Sequence, residues 1–275
     1  MADTQEIKKT AKPSGYRKLE VLLAILLFAS VLVLVMFSPM FNIKEIQVFG
    51  TSYYSAEGII ATSGIETGIN GFKNVGGSID RFLTLRYGDI EQAIKDKLPY
   101  VKDVAVKFVI PDILRIYITE RTPACVVKYL DVLLLVDEEG YVLESLKNIT
   151  DYNFPKISGL DLTGFCVGQK LYMQKPAQFE NIMKLIDLLK ETDTEEFSLA
   201  NKISSYEVNG QGELRILYDS RILVNLGKMV KMDYKISMLR EILMKNIGAD
   251  ETGLLDFSIG NNPVFTPEKT GGIIK

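Results

Sequence analysis

The chain has 275 residues and no histidine, and that absence decides most of the chemistry open to it. Without imidazole there is no Ser-His-Asp or Cys-His nucleophile, and the commonest zinc-ligand sets are missing. The two cysteines, Cys125 and Cys166, are too few for a disulfide scaffold and read as isolated, inert thiols. Carboxylates remain. Asp137, Glu138 and Glu139 crowd one turn, and Asp193, Glu195 and Glu196 follow a helix end. Neighbours in a turn cannot hold two carboxylates across a sugar, as glycoside hydrolysis requires. Both runs therefore read as solvated charge. Gly68, Gly71, Gly76 and Gly77 suggest a phosphate cradle, but neither G-x-G-x-x-G nor Gly-Lys-Ser/Thr is present and no parallel βαβ unit surrounds them. Residues 66–88 read instead as a flexible inserted loop. Asn148-Ile149-Thr150 fits a glycosylation sequon, which matters only in a eukaryotic secretory pathway. No catalytic residue, metal ligand or cofactor is expected. A formal charge of -3 argues against a general nucleic-acid binder.

With chemistry set aside, the elements carry the reading. Residues 19–41, "LEVLLAILLFASVLVLVMFSPMF", hold no charge between Val21 and Phe37. As a helix this run is long enough to cross a bilayer core. Ser38-Pro39 ends the helix but is a poor processing site, so a retained anchor is expected rather than a cleaved signal. Lys8, Lys9, Lys12, Arg17 and Lys18 flank its start, and Lys44 alone follows closely. Basic flanks stay in the cytoplasm. The expected layout is a cytoplasmic tail (1–18), a transmembrane helix (19–39) and the remainder outside.

The first outside module reads strand, helix, helix, strand, strand. "FNIKEIQVFG" is a short strand stopped by Gly50; "SAEGIIATSG" is a helix capped by Ser55 and closed at Gly64. "DIEQAIKDKLP" is a second helix with Ile90, Ala93, Ile94 and Leu98 on one stripe. In "LPYVKDVAVKFVIPDILRIYITERTPAC", Val104, Val106, Phe108 and Ile110 alternate, then Leu114, Ile116 and Ile118, with Pro111-Asp112 as the turn. Two helices covering one face of a three-stranded sheet make an α+β layer.

From residue 122 strands dominate. "ACVVKYL" and "VLLLVDEEGYVLE" read as strands with a turn at Asp137 to Gly140. "FPKISGLDLTGFCVGQKL" reads as irregular. "KPAQFENIMKLIDLLKET" is an amphipathic helix with Phe179, Ile182, Met183, Ile186 and Leu189 inward. "ELRILYDSRILVNLG" is a hairpin, and "KMVKMDYKISMLREILMKN" a helix with Met229, Met232, Ile236, Leu239 and Leu243 inward. "GLLDFSIGNNPVF" reads as one last strand, with Leu255, Phe257 and Ile259 facing one way and Leu254, Asp256 and Ser258 the other.

A basic tail, one anchor, a βααββ module and a larger β module together resemble the FtsQ/DivIB family of bacterial cell-division proteins. "FNIKEIQVFG" is similar to the opening strand of that family's POTRA domain. Pro99, Tyr100, Val101, Pro111, Asp112, Glu120, Arg121, Pro123 and Ala124 match the domain's closing motif. "LLLVDEEGYVL", "FPKISGL", "ILVNLG" and "LLDFSIGNNPVF" resemble parts of its C-terminal half. The insert at 66–88 is longer than the simplest family pattern, and Ser258-Ile259 stands where a basic residue often occurs. The resemblance implies a POTRA domain over 41–121, an extracytoplasmic β domain over 122–266 and a flexible tail over 267–275. It implies a non-enzymatic scaffold at the division septum that binds FtsL and FtsB/DivIC and helps control septal peptidoglycan synthesis. A membrane-anchored cell-wall-binding protein or enzyme is the alternative. It also puts the partner contact in the C-terminal region, so a partner segment is expected to pair as an added strand along Leu254, Leu255, Asp256, Phe257, Ser258 and Ile259.

Overall fold

The computed structural model describes residues 14–146, 154–194, 197–258 and 262–268. The chain divides into two compact units. One takes the chain up to Ile94 together with Asp103–Thr119; the other takes Lys95–Lys102 and the chain from Glu120 onward.

The first unit opens with helix α1 (Ser14–Met36), whose side chains from Tyr16 to Val35 are all exposed. At 23 residues it is about 35 Å long, enough to cross a membrane by length and composition. Ser38 caps a 3-10 turn, Pro39–Phe41, and ends the apolar run. Then come β1 (Glu45–Phe49), α2 (Ala56–Ser63), α3 (Ile79–Leu83), α4 (Gly88–Lys97), β2 (Val101–Val109) and β3 (Ile113–Glu120). The sheet order is β1-β3-β2, with β1 parallel to β3. The Ser55 hydroxyl accepts from the Gly58 amide at 3.1 Å to start α2, and Gly64 at φ 66° ends it. Ile43, Ile59, Ile94, Val106, Phe108, Leu114 and Ile116 are fully buried. This is the α+β layer that the alternation predicted, with α3 as an additional one-turn helix.

The insert is not a flexible loop. The Tyr87 hydroxyl donates to the Gly71 carbonyl at 2.5 Å, and the Tyr87 amide donates to the Val106 carbonyl at 2.9 Å. The Phe108 amide in turn donates to the Leu85 carbonyl at 2.9 Å. The backbone of 85–87 thus lies along β2, an order that sparse apolar spacing among glycines does not announce. Gly71 is required sterically, since a Cβ there would fall 2.1 Å from Phe108 Cε2. Below it, buried Glu91 accepts from the Arg86 guanidinium at 2.7 and 2.9 Å and from the Val106 amide at 2.9 Å.

The second unit contains β4 (Pro123–Tyr129), β5 (Val132–Asp137), β6 (Val142–Leu146), β7 (Lys156–Ser158), β8 (Leu162–Gly164), β9 (Tyr172–Met173), α5 (Pro176–Thr192), β10 (Ile203–Val208), β11 (Leu214–Tyr218), β12 (Ile222–Gly227), α6 (Met232–Lys245), β13 (Gly253–Asp256) and β14 (Val264–Pro267). Among the described residues nine strands form one sheet in the order β14-β13-β12-β11-β10-β7-β4-β5-β6, and β8 pairs with β9. The stripes of α5 and α6 lie in one core with the inward strand residues. Cys125 is buried and free, with burial pushing its thiol pKa up, and Cys166 is exposed and free.

Four sequence expectations change here. "FPKISGL" holds β7, parallel to both β4 and β10 in the middle of the sheet, with Ile157 fully buried. Three residues are too few for alternation to show. "GLLDFSIGNNPVF" is two antiparallel strands, β13 and β14, not one. Pro267 closes β14 and the Glu268 amide donates to the Thr252 carbonyl at 2.8 Å, so strand pairing reaches into the stretch expected to be tail. Asp193 is not a solvated charge either. Its carboxylate accepts from the Ser198 hydroxyl and the Leu199 amide, both at 2.6 Å, and so caps the turn after α5. Glu195, Glu196, the Asn148 sequon and 269–275 lie outside the described residues.

Candidate partner-binding site

The C-terminal corner of the large sheet is built by β12, β13 and β14. β13 runs parallel to β12, pairing Val224 with Leu255 and Asn225 with Asp256. The Gly253 amide donates to the Arg221 carbonyl and the Phe257 amide to the Asn225 carbonyl, at 3.3 and 2.8 Å. Odd-numbered residues therefore direct their main-chain groups at β12. Even-numbered ones direct theirs away, towards β14, which pairs Leu254 with Thr266 and Asp256 with Val264. Leu255 and Phe257 are buried, Leu254 is 37% exposed and Ser258 is exposed. Ile259 lies outside the described residues.

β13 is thus one strand in from the edge, and over Gly253–Asp256 its outer side is taken by β14. An added strand cannot simply lie along it. Among the described residues the sheet edge is β14, where the same parity argument turns Phe265 and Pro267 outward. Pro267 has no amide to offer, and Pro263 precedes the strand. Within β14 the outward row holds a single donor, at Phe265. Prolines on an outer row blunt an edge against stray pairing.

Where β14 stops, side chains take over. The Asp256 carboxylate accepts from the Ser258 amide and hydroxyl, both at 2.7 Å, and from Asn225 Nδ2 at 3.2 Å. Burial would raise the Asp256 pKa, but these hydrogen bonds and nearby Arg215 hold it below the usual carboxylate value. Asn225 also accepts from the Gly227 amide at 3.2 Å. Gly227, at φ 66°, lets Ser258 approach, since a Cβ there would lie 3.3 Å from Ser258 Cβ. Behind it, Lys235 of α6 donates to the Leu226 carbonyl at 2.6 Å. Asn225, Asp256 and Ser258 form an ordered polar ladder on the outward face.

The motif residues gather elsewhere. In the second unit, the Arg121 amide donates to the Tyr100 carbonyl at 2.7 Å. The Tyr100 hydroxyl donates to the Glu144 carboxylate. The Arg121 guanidinium donates to Asp137 at 2.6 Å and to Glu139 at 3.0 Å, and stacks 3.4 Å above the Tyr141 ring. The Asp137 side chain is 4% exposed, and its second oxygen accepts from the Glu139 and Tyr141 amides at 3.0 and 2.7 Å. Its reading as a solvated charge is corrected: Arg121 compensates it, and the turn amides complete its shell. Val101 is buried, and Pro123 opens β4, opposite Asp137 on β5. Glu120 closes β3. In the first unit, the Asp112 carbonyl at the Pro111-Asp112 turn accepts from the Lys44 amide at 2.8 Å, and its carboxylate pairs with the Lys44 ammonium at 2.8 Å. The motif residues are therefore structural joints, none of them part of the C-terminal corner.

Residues 41–121 match the family model "POTRA domain, FtsQ-type", and residues 126–257 match "Cell division protein FtsQ/DivIB, C-terminal". This chain belongs to the FtsQ/DivIB family. It is 25% identical to the cell division protein DivIB of Clostridium botulinum (strain Hall) over 274 residues, 98% of each chain. It is 24% identical to the DivIB of Clostridium acetobutylicum over 229 residues, 83% of this chain and 84% of that one. It is 28% identical to the cell division protein FtsQ of Syntrophotalea carbinolica over 154 residues, 55% of this chain and 48% of that one. Within this FtsQ/DivIB chain, sequence reasoning missed Asn225, Gly227 and the two prolines bracketing Val264–Thr266. The one signal for the last was "PVFTP", a strand-like run with proline at both ends.

Proposed function

We propose that this chain is a non-enzymatic scaffold of the division machinery, held in the membrane by α1 with its N-terminus in the cytoplasm. It binds FtsL and FtsB/DivIC at the septum and through them helps control septal peptidoglycan synthesis. Membership of a cell-division family supports the role, and the basic flank of α1 supports the orientation.

The observation that carries the docking mode is the β13–β14 register. A partner segment pairs with the outward main-chain groups of Leu254 and Asp256 by taking the place of β14. Addition outside β14 would find a single donor, whereas β13 offers uninterrupted alternate groups. β14 is four residues long and mostly exposed, with Phe265 packed against the core, so a longer partner strand can replace what it buries. Leu254, Asp256 and Ser258 then meet the partner with their side chains.

The test is partner capture by the full chain in detergent, against a variant ending at Gly260 and against Leu254→Pro. Loss of β14 should strengthen capture, and Leu254→Pro, which removes a shared outward amide, should abolish it. Lost capture in the truncated chain, with capture retained in Leu254→Pro, would overturn the docking mode.

A further inference from the structure

Helix α3 has its polarity inverted. Its sequence, Ile-Asp-Arg-Phe-Leu, spaces Ile79, Phe82 and Leu83 at i, i+3 and i+4, the single apolar face of one helical turn. In a soluble domain that face would turn inward. Here the three side chains are 83, 54 and 75% exposed. The polar side does the packing: Arg81 Nε lies 3.3 Å from buried Glu91. The helix is well made, with the Ser78 hydroxyl accepting from the Arg81 amide at 3.3 Å, so the exposure is not a frayed end. Large apolar groups clustered on a surface mark something that covers them.

Register places this helix at the rim where α1 leaves the unit. Leu85, two residues past α3, accepts from the Phe108 amide at 2.9 Å. The Phe108 ring contacts Phe72 at 5.1 Å, and Phe72 contacts Phe41 at 5.2 Å, just beyond α1. The Gly71 amide donates to the Phe41 carbonyl at 2.8 Å, while Asn70 Nδ2 donates to the Met36 and Ser38 carbonyls at 3.1 and 3.2 Å. The insert is thus tied to the last turn of the apolar helix itself. On the same rim Phe37, Met40 and Ile110 are also exposed, and Ile110 precedes the turn that holds Lys44.

We propose that α3 is a membrane seat: Ile79, Phe82 and Leu83 insert into the interface of the same bilayer that α1 crosses, while Arg81 stays on the protein side. The occupant is lipid because the segment that carries this apolar face is bonded, through Asn70 and Gly71, to the end of a membrane-length helix. A one-turn helix held there sits at the depth interfacial helices occupy, roughly 5–10 Å into the headgroup–acyl boundary. The seat would restrain the first unit against the membrane. The inference rests on α1 spanning the bilayer, and its test separates the two.

The chain has no tryptophan, so each engineered one reports alone. The full chain is reconstituted into phosphatidylcholine–phosphatidylglycerol vesicles carrying lipids brominated at shallow or deep acyl positions. Four variants are compared: Phe28→Trp in α1, Ile79→Trp and Phe82→Trp in α3, and Tyr117→Trp on the outer face of β3. Phe28→Trp should be quenched most by deep bromines. Ile79→Trp and Phe82→Trp should show blue-shifted emission quenched most by shallow bromines. Tyr117→Trp should be unquenched. Phe28→Trp quenched with both α3 reporters water-exposed would overturn the seat alone; Phe28→Trp unquenched would overturn the spanning reading beneath it. Blue-shifted α3 emission without bromine quenching, growing with protein density, would assign the face to a second copy and also overturn the proposal. Tyr117→Trp quenched as strongly as the α3 reporters would show indiscriminate contact and overturn it as well.

Discussion

Arg121→Ala tests the joint at the heart of the POTRA-ending motif. The side chain is 8% exposed and serves two carboxylates and one aromatic ring. Its removal leaves Asp137 buried, charged and served only by the Glu139 and Tyr141 amides. Breaking a buried pair from one side costs about 3–5 kcal/mol, because the orphaned charge keeps its desolvation penalty. The neighbouring Lys102–Glu139 pair is the internal control. Its side chains are 36 and 38% exposed, so solvent screens the pair and Lys102→Ala should cost far less than Arg121→Ala. Arg121→Lys should recover only part of the loss, since an ammonium can neither serve both carboxylates in one plane nor stack flat on Tyr141. Urea unfolding monitored by hydrogen exchange at the Tyr141 and Val142 amides gives the local cost. An Arg121→Ala penalty no larger than that of Lys102→Ala would refute the buried-joint reasoning.

In the first unit, Phe108→Ala should destabilise by about 3–5 kcal/mol because the ring is fully buried against Phe72 and Gly71. Lys107→Ala, on the exposed side of the same strand, should cost under about 0.5 kcal/mol; equal losses in chemical denaturation would undo the face assignment. The depressed Asp256 pKa predicts that its stabilising contribution is full above the unfolded carboxylate pKa and fades as pH falls through the lower, folded value. Asp256→Asn should lessen that acid dependence, and an identical acid profile in both proteins would show that the ladder does not hold a charge. A reporter active only outside the cytoplasm should work when fused after Lys275, and activity solely inside the cytoplasm would reverse the membrane orientation.

Strong periodicity was legible and weak periodicity was not. Val104, Val106 and Phe108, or Ile222, Val224 and Leu226, announce their strands because alternation runs for several residues and a turn closes it. The stripes of α5 and α6 were equally plain, although α6 begins at Met232, later than the apolar run suggests. β7 escaped because its three residues gain their place from neighbours far away in sequence, β4 and β10. α3 escaped because a single turn is too short for its i, i+3, i+4 spacing to stand out among glycines. Asp137 and Asp193 were misread for a related reason. Composition sees a cluster of acids, while burial depends on Arg121 and on the amides around Ser198, which only the folded chain brings together. At the candidate site, the inward facing of Leu255 and Phe257 followed from alternation. The covering of β13 by β14 did not, because a reversal between two short runs leaves no mark except the prolines at 263 and 267.

Photo-crosslinking in dividing cells tests whether a partner docks on β13. A photoreactive amino acid at Leu254, on the outward face of β13, is compared with one at Tyr117, on the first unit's exposed sheet face. Adducts with the FtsB/DivIC partner are expected from position 254 and from a photoprobe at Ser258, the latter lost when Leu254→Pro is added. An adduct with that partner from position 117 and none from 254 or 258 would contradict this docking.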